Sequence, residues 1–380
     1  MKKPSFAKKL FISACMATRT TNVAAKITSV NYFLPQLFAM RFANMGGINP
    51  DDFREQLGGL KTFDDSKWCS YWNTFAQKYE EDFQNALTEQ SAKDALVKTI
   101  TYYSVSAWPG VTPLQLKAYE KSCELTEQWF QITNPNISKV SLKIADEDVT
   151  GYMYLPEKDG KYPMVVVTNG LEGTIQEIAF PIMKYCDDQT GVFFMEMPGT
   201  YAYKQKMSVD SEAIYNGVIE YVANHPKVDS SHIAMVGVSF GGYWSARMAA
   251  VNPFLHCAVT SGPPVEHAFK TSNSLGLPAI MVSVMKYVTG SKGISDLITT
   301  LKPLSFASGD LYTKVKIPLL IINGDTDTLV GTQDSIELNR RIPSSLLKLY
   351  ENDDHCAMGH YNEWMDLTFD WIRMQFTNTK

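Results

Sequence analysis

No stretch of this 380-residue chain is apolar for long enough to cross a bilayer. A spanning helix needs about 20 consecutive apolar residues, so a transmembrane segment is not expected. Positive charge is short as well. There are 35 Lys and Arg against 40 Asp and Glu, a net charge of −5. That balance argues against a nucleic acid or an anionic membrane as partner. Histidine is scarce, with six residues, so a catalytic imidazole must come from a short list. Cys15, Cys69, Cys123, Cys186, Cys257 and Cys356 include no CxxC pair and no Cys/His ligand spacing. Zinc-site and thioredoxin-like readings fall away, and six reduced thiols fit a cytoplasmic protein. There is no HExxH, and "GVSFGG" lacks the spacing of a dinucleotide or phosphate loop. Neither a metal nor a cofactor is expected. Repeats and low-complexity segments are also missing.

What is present is an ordinary globular composition, 45% hydrophobic and 20% charged. The length allows two domains, or one with an insertion. The segment "MVGVSFGGYWSARMAA", from Met235 to Ala250, carries the sharpest signal. "IAMVG" reads as a short buried strand and "YWSARMAA" as the start of a helix. Between them stands Gly237-Val238-Ser239-Phe240-Gly241. In the G-x-S-x-G elbow, a Ser occupies a strained strand-to-helix turn, and small residues two before and two after it let the flanking backbones pass closely. Ser239 is the candidate nucleophile.

A Ser hydroxyl needs a His to take its proton and a carboxylate to orient that His. On a parallel hydrolase sheet they follow in the order Ser, acid, His. "IPLLIINGDTDTLV" reads as a strand ending at Gly324, followed by Asp325 and Asp327. The usual G-x-x-D loop selects Asp327, and Asp325 is expected to tie the turn through its side chain. "LLKLYENDDHCAMGHYNEW" offers His355 directly after a strand and His360 at the start of the final amphipathic helix. His355 is preferred as base, with His360 a helix-start residue. His225, His232, His256 and His267 fall at strand ends, turns or nearby loops. The oxyanion of an acyl-transfer intermediate needs preorganised donors. The N–H of Phe240 is one. The loop "NGLEGTIQE" after the strand "PMVVVT" supplies the other, with Leu171 as candidate. Glu172 beside it is either a substrate-facing carboxylate or an exposed loop residue.

Along the chain, residues 1–137 read as helical, with Trp, Tyr and Phe stripes in "SKWCSYWNTFAQKYEEDFQNAL" and "EQSAKDALVKTITYYSVSAW". Near residue 138 the period switches. "KVSLKIADEDVTGYMYLPE" alternates like a two-stranded hairpin. Strand candidates then alternate with helices at 163–168, 191–197, 233–237, 256–262, 317–324 and 346–351. That rhythm implies βαβ units and a mostly parallel sheet. Residues 265–312 break it and read as an insertion. The N-terminus has two readings. Lys2, Lys3, Lys8 and Lys9 around "LFISACMA" fit a basic helix, while "ISAC" resembles a lipoprotein box ending at Cys15. The helix is preferred.

Several of these segments together resemble the FrsA-like esterase family of α/β-hydrolases. They also resemble the related group of 2,6-dihydroxypseudooxynicotine hydrolase and fungal polyketide-shortening hydrolases. "RFANMGGINPDDF" and "YYSVSAWPGVTPLQLKAYEKSCELTEQ" resemble the family's helical cap. "NGLEGTIQE" resembles its oxyanion loop, "EMPGTY" its D-x-P-G loop and "VDSSHIAMVGVSFGGYWSARMA" its elbow. "INGDTDTLV" and "DDHC" resemble the acid and His loops. Glu196 departs from the family's usual Asp, and Tyr201 from a frequently small residue. The resemblance implies an α/β-hydrolase core over 138–380 with an N-terminal helical cap over 1–137. It implies carboxylic-ester hydrolysis by Ser239, Asp327 and His355. The related group implies C–C cleavage of a β-diketone-like substrate as the alternative. A non-catalytic interaction protein on the same fold is the third reading. The partner expected is a small-molecule acyl ester, with a homodimer left open. The aromatics Trp68, Trp72, Tyr102, Tyr103 and Trp108 are expected to be divided between helix packing and the lining of an apolar pocket.

Overall fold

The computed structural model describes residues 4–270 and 279–377. Lys2 and Lys3, and residues 271–278 of the expected insertion, lie outside the described residues. Seven helices come first: α1 (Phe6–Ala17), α2 (Thr21–Thr28), α3 (Leu37–Ala43), α4 (Pro50–Gly59), α5 (Asp65–Gln84), α6 (Glu89–Ala107) and α7 (Pro113–Thr133). Their ends follow local chemistry. Asp64, Thr88 and Thr112 accept backbone N–H groups at the starts of α5, α6 and α7, and Pro113 takes the first helical position of α7, where its missing N–H costs nothing.

Eight strands follow: β1 (Ile137–Ile144), β2 (Glu147–Tyr154), β3 (Tyr162–Thr168), β4 (Gly191–Met195), β5 (Val228–Val238), β6 (Leu255–Ser261), β7 (Leu319–Gly324) and β8 (Ser345–Tyr350). They form one sheet in the order β1-β2-β4-β3-β5-β6-β7-β8. The β1–β2 and β2–β4 pairings are antiparallel and the other five are parallel. Strands β3, β4, β6 and β7 are buried almost throughout, and β5 is buried from Ile233 onward, the near-continuous apolar pattern of a sheet covered on both faces. Helices α8 (Ile175–Ile182), α9 (Glu212–Ala223), α10 (Phe240–Val251), α14 (Thr332–Arg341) and α15 (Tyr361–Thr377) flank it. Between β6 and β7 stand α11 (Ala279–Thr289), α12 (Ile294–Leu301) and the short α13 (Leu311–Lys314). This is the α/β-hydrolase fold with an N-terminal helical region.

Two apolar cores lie on opposite sides of the sheet. One joins Phe38, Trp72, Trp108 and Phe130 of the N-terminal helices to Val165, Val236 and Phe369. The other joins Val166, Met235 and Ile321 to Tyr215, Trp244 and Phe306. The N-terminal helices therefore share a core with the sheet. The aromatic stripes stay inside that core. Phe53 stacks on Trp72 at 5.1 Å, and Phe38 meets Trp108 edge-on at 4.7 Å.

Candidate active site

Ser239 follows β5 and precedes α10 with a positive φ of 57°, a strained position for a side chain with a Cβ. The turn is pinned by the Ser239 N–H donating to Ser261 O at 2.7 Å and the Tyr243 N–H donating to Ser239 O at 3.1 Å. The sharpness of the turn dictates the glycine before it. A Cβ on Gly237 would fall on the carbonyl of Gly241. The turn holds the Ser239 hydroxyl at the carboxyl ends of the parallel strands.

His355 arrives from the loop after β8. Two aspartates fix that loop. Asp354 accepts from the N–H of His355 at 2.8 Å and the N–H of Thr328 at 2.6 Å. Asp353 accepts from the N–H groups of Gly359 and His360 at 2.9 and 3.1 Å and faces His360 Nδ1 at 2.8 Å. His355 Nε2 then stands 2.8 Å from Ser239 Oγ, and its Nδ1 stands 2.8 Å from Asp327 Oδ2. His360 instead stacks on Tyr350 at 4.9 Å, outside this chain of hydrogen bonds.

Asp327 is buried after β7. Its Oδ2 also accepts from Asn323 Nδ2 at 3.0 Å, and its Oδ1 from the N–H groups of Leu329 and Val330, each at 2.9 Å. Burial alone would raise this carboxyl. His355 and the hydrogen bonds outweigh it and hold the pKa down at about 2. The same pair acts on His355 in the other direction. Burial would lower the imidazole, but the facing Asp327 raises it well above its ordinary value. In the neutral imidazole, ionised Asp327 fixes the proton on Nδ1 as the donor, and Nε2 is left to accept from the Ser239 hydroxyl. Asp325 does not tie the turn. Its side chain is exposed, and the bonds expected of it are made by Asp327 itself, whose position two residues further on points inward.

The loop after β3 passes directly beside Ser239. A Cβ on Gly170 would lie 2.8 Å from Ser239 Cβ, so only glycine lets the two backbones meet. Leu171 and Phe240 line the cavity together with Ser239 and His355. Glu172 reaches that cavity too, but its carboxylate is committed. Arg41 of α3 pairs with Glu172 Oε1 at 2.6 Å and donates to the Glu172 carbonyl at 2.8 Å. Arg41 also donates to Glu177 Oε1 at 2.9 Å, and its Nε pairs with Glu177 Oε2. Burial would lower the Arg41 guanidinium, but the two carboxylates raise it and keep it charged. Glu177 in turn accepts from the Thr174 N–H at 3.0 Å, at the start of α8. The Tyr201 hydroxyl donates to the Glu172 carbonyl at 2.8 Å, and its ring stacks on Tyr119 at 4.6 Å. Below lies Glu196, whose carboxyl is pushed up to about 8 by burial, partly offset by hydrogen bonds from Tyr119 at 3.0 Å and from the Ile175 N–H. Arg41, Glu177 and Asn323 were not picked out from the sequence. An Arg in "FAMRFAN" looks like an exposed helix cation, and nothing local shows two carboxylates more than 130 positions away.

The cavity over Ser239 has a volume of 210 Å³. Its apolar walls correct one expectation. Trp68, Trp72, Tyr102, Tyr103 and Trp108 do not line it, because they are spent on the core among the N-terminal helices. That region contributes Met16, Leu37 and Arg41, while Met281, Met285, Leu297 and Leu301 of α11 and α12 form the larger apolar wall. Among the described residues, no cluster of three or more His, Cys, Asp or Glu side chains is placed to hold a metal ion.

The family model described as Esterase FrsA-like matches residues 51–376. The chain belongs to the FrsA-like esterase family. Esterase FrsA of Vibrio cholerae is 22% identical over 331 residues, covering 84% of this chain and 78% of that protein. The α/β hydrolase gkaG of Penicillium citrinum is 25% identical over 259 residues, covering 58% of this chain and 60% of that one. Among solved structures, 2,6-dihydroxy-pseudo-oxynicotine hydrolase superposes with a TM-score of 0.73 at 18% identity, over 87% of this chain and 94% of that one. AbyA5 does so at 0.71 and 17% identity, over 94% of each. At such identities these two likenesses establish the fold of this FrsA-like chain and leave its chemistry to its own residues.

Proposed function

We propose that this FrsA-like protein is a serine hydrolase of carboxylic esters, with Ser239 as nucleophile, His355 as general base and Asp327 as the orienting acid. One observation carries the reading: the unbroken line Ser239 Oγ, His355, Asp327, with both links at 2.8 Å, on the wall of an apolar cavity. His355 Nε2 takes the Ser239 proton as Oγ attacks the acyl carbon. The carbonyl electron pair moves onto oxygen, where the N–H groups of Leu171 and Phe240 receive it. Collapse breaks the ester C–O bond, and His355 returns the proton to the leaving alkoxide. Water, deprotonated by the same imidazole, then attacks the acyl-enzyme and releases the acid. The helices before residue 137 act as a cap, and α11 and α12 hold the acyl chain.

C–C cleavage of a β-diketone would use Glu172 to position a carbonyl. The Arg41 ion pair occupies that carboxylate, which favours the ester reading. A non-catalytic role gives no use to a buried Asp held ionised against a His. The test is a fluorophosphonate probe, followed by parallel assays of a short acyl ester and a β-diketone. Labelling at Ser239 with ester turnover is expected. Turnover of the diketone alone would replace the reaction, and no labelling would remove Ser239 as nucleophile.

A further inference from the structure

Helix α1 turns Phe6, Ala7, Leu10, Phe11, Ala14 and Ala17 to solvent. They form an apolar stripe at helical spacing, where a surface helix normally carries polar residues. Phe6 is 68% exposed and Leu10 47%, while Ile12 and Cys15 on the other side are buried. Helix α2 packs on α1 and exposes Val23 and Ile27, the latter by 84%. Residues 1–50 contain seven Lys and Arg and no Asp or Glu; Arg41 is taken up by Glu172 and Glu177, which leaves Lys2, Lys3, Lys8, Lys9, Arg19 and Lys26 without an acid in the segment. Since the whole chain carries −5, the remainder carries −12. The net charge therefore conceals a basic, apolar segment, and the family match begins only after it, at Asp51.

This segment borders the mouth of the cavity. Met16 of α1 lines it, and α1 packs on α11, which supplies Met281 and Met285 to the same cavity. Ile294 and Ile298 of α12 also line it while remaining 56% and 36% exposed. A neighbouring cavity of 430 Å³ shares Met16, Val282 and Ile294 and adds Arg19 and Lys286, with no carboxylate in its lining.

We propose that α1, α2 and the α12 rim dock the protein onto an anionic lipid surface, with the cavity mouth turned toward it, so that the ester is drawn from that surface. On α1 and α2, bulky apolar side chains stand among cations without an acid, which is the chemistry of an interfacial helix, while the α12 rim adds one exposed carboxylate, Asp296. An acidic peptide would match the cations but leave Phe6, Leu10 and Ile27 in water. The source of the ester rests on the serine-hydrolase reading, whereas the docking does not.

The experiment keeps the two apart by using the full chain carrying Ser239→Ala. It is sedimented with phosphatidylcholine vesicles, with and without phosphatidylglycerol. Binding to the anionic vesicles is expected, falling as salt is raised. Phe6→Ser with Leu10→Ser should weaken it by about tenfold or more with an unchanged circular-dichroism spectrum. In the chain with Ser239 intact, the same pair should leave turnover of a water-soluble short ester unchanged and slow that of a vesicle-embedded one. Absent vesicle binding, binding that ignores the Phe6 and Leu10 changes, or binding to polyglutamate in preference to vesicles would overturn the proposal. Vesicle binding without hydrolysis of either ester would uphold docking and overturn only the hydrolase reading.

Discussion

In the proposed mechanism, protonation of His355 decides when the site works. The imidazole must be neutral to accept the Ser239 proton, and Asp327 holds it charged up to a pH well above its ordinary 6.5. Activity is therefore lost as pH falls through the raised pKa of the folded protein, and kcat/KM for a short ester should show an acid limb with its midpoint above 6.5. Asp327→Asn removes the charge that raises it. The midpoint should move down, and the rate should fall by about 10⁴ because the imidazole loses its tautomer control. An acid limb that stays in place in Asp327→Asn would show that the charge of Asp327 does not govern His355. At this scale the meeting of Ser239, Asp327 and His355 in one line of hydrogen bonds is legible because each stands in a short strand-then-loop context that dictates its placement. Arg41, Glu177 and Asn323 were not, since their meaning comes from partners brought together only by packing. The spacing that selects Asp327 says nothing of what the aspartate two residues earlier does, and Asp325 is left exposed because Asp327 itself accepts the N–H groups of the turn.

The six strands after the hairpin and the long helices of the N-terminal region were legible as elements, since apolar period separates strand from helix. Which element lines the pocket was not. The aromatic stripes look equally suited to a core or to a ligand wall, and the structure spends them on the core, leaving α11 and α12 as the apolar wall. A substitution there should change selectivity without touching the chemistry. Met285→Trp fills part of the 210 Å³ cavity. It should leave kcat on an acetyl ester within about twofold and reduce kcat/KM on a long-chain ester by about tenfold or more. Trp72→Phe, inside the helical core, should lower stability and leave the chain-length profile intact. A profile that shifts with Trp72 and ignores Met285 would move the acyl site away from α11.

At the scale of the whole molecule, the switch of period near residue 138 marked where helices give way to strands. It did not show that the two parts share one core, because contacts such as Phe130 with Tyr152 of β2 and Trp129 with Phe180 of α8 leave no trace in local pattern. Expression of 138–380 alone should therefore give an insoluble or molten fragment, checked by solubility and near-UV circular dichroism. A soluble, stable fragment with the parent's acyl preference would take the cap role from the N-terminal helices. The central claim, that an acyl-enzyme forms on Ser239, is tested most directly by mixing the protein with excess of a chromogenic acyl ester, quenching in acid within the first turnover and measuring the intact and digested mass. The account predicts one acyl group per chain, mapped to the peptide containing Ser239 and missing in Ser239→Ala. Turnover at the parent rate in Ser239→Ala, or an adduct on any other residue, would contradict it.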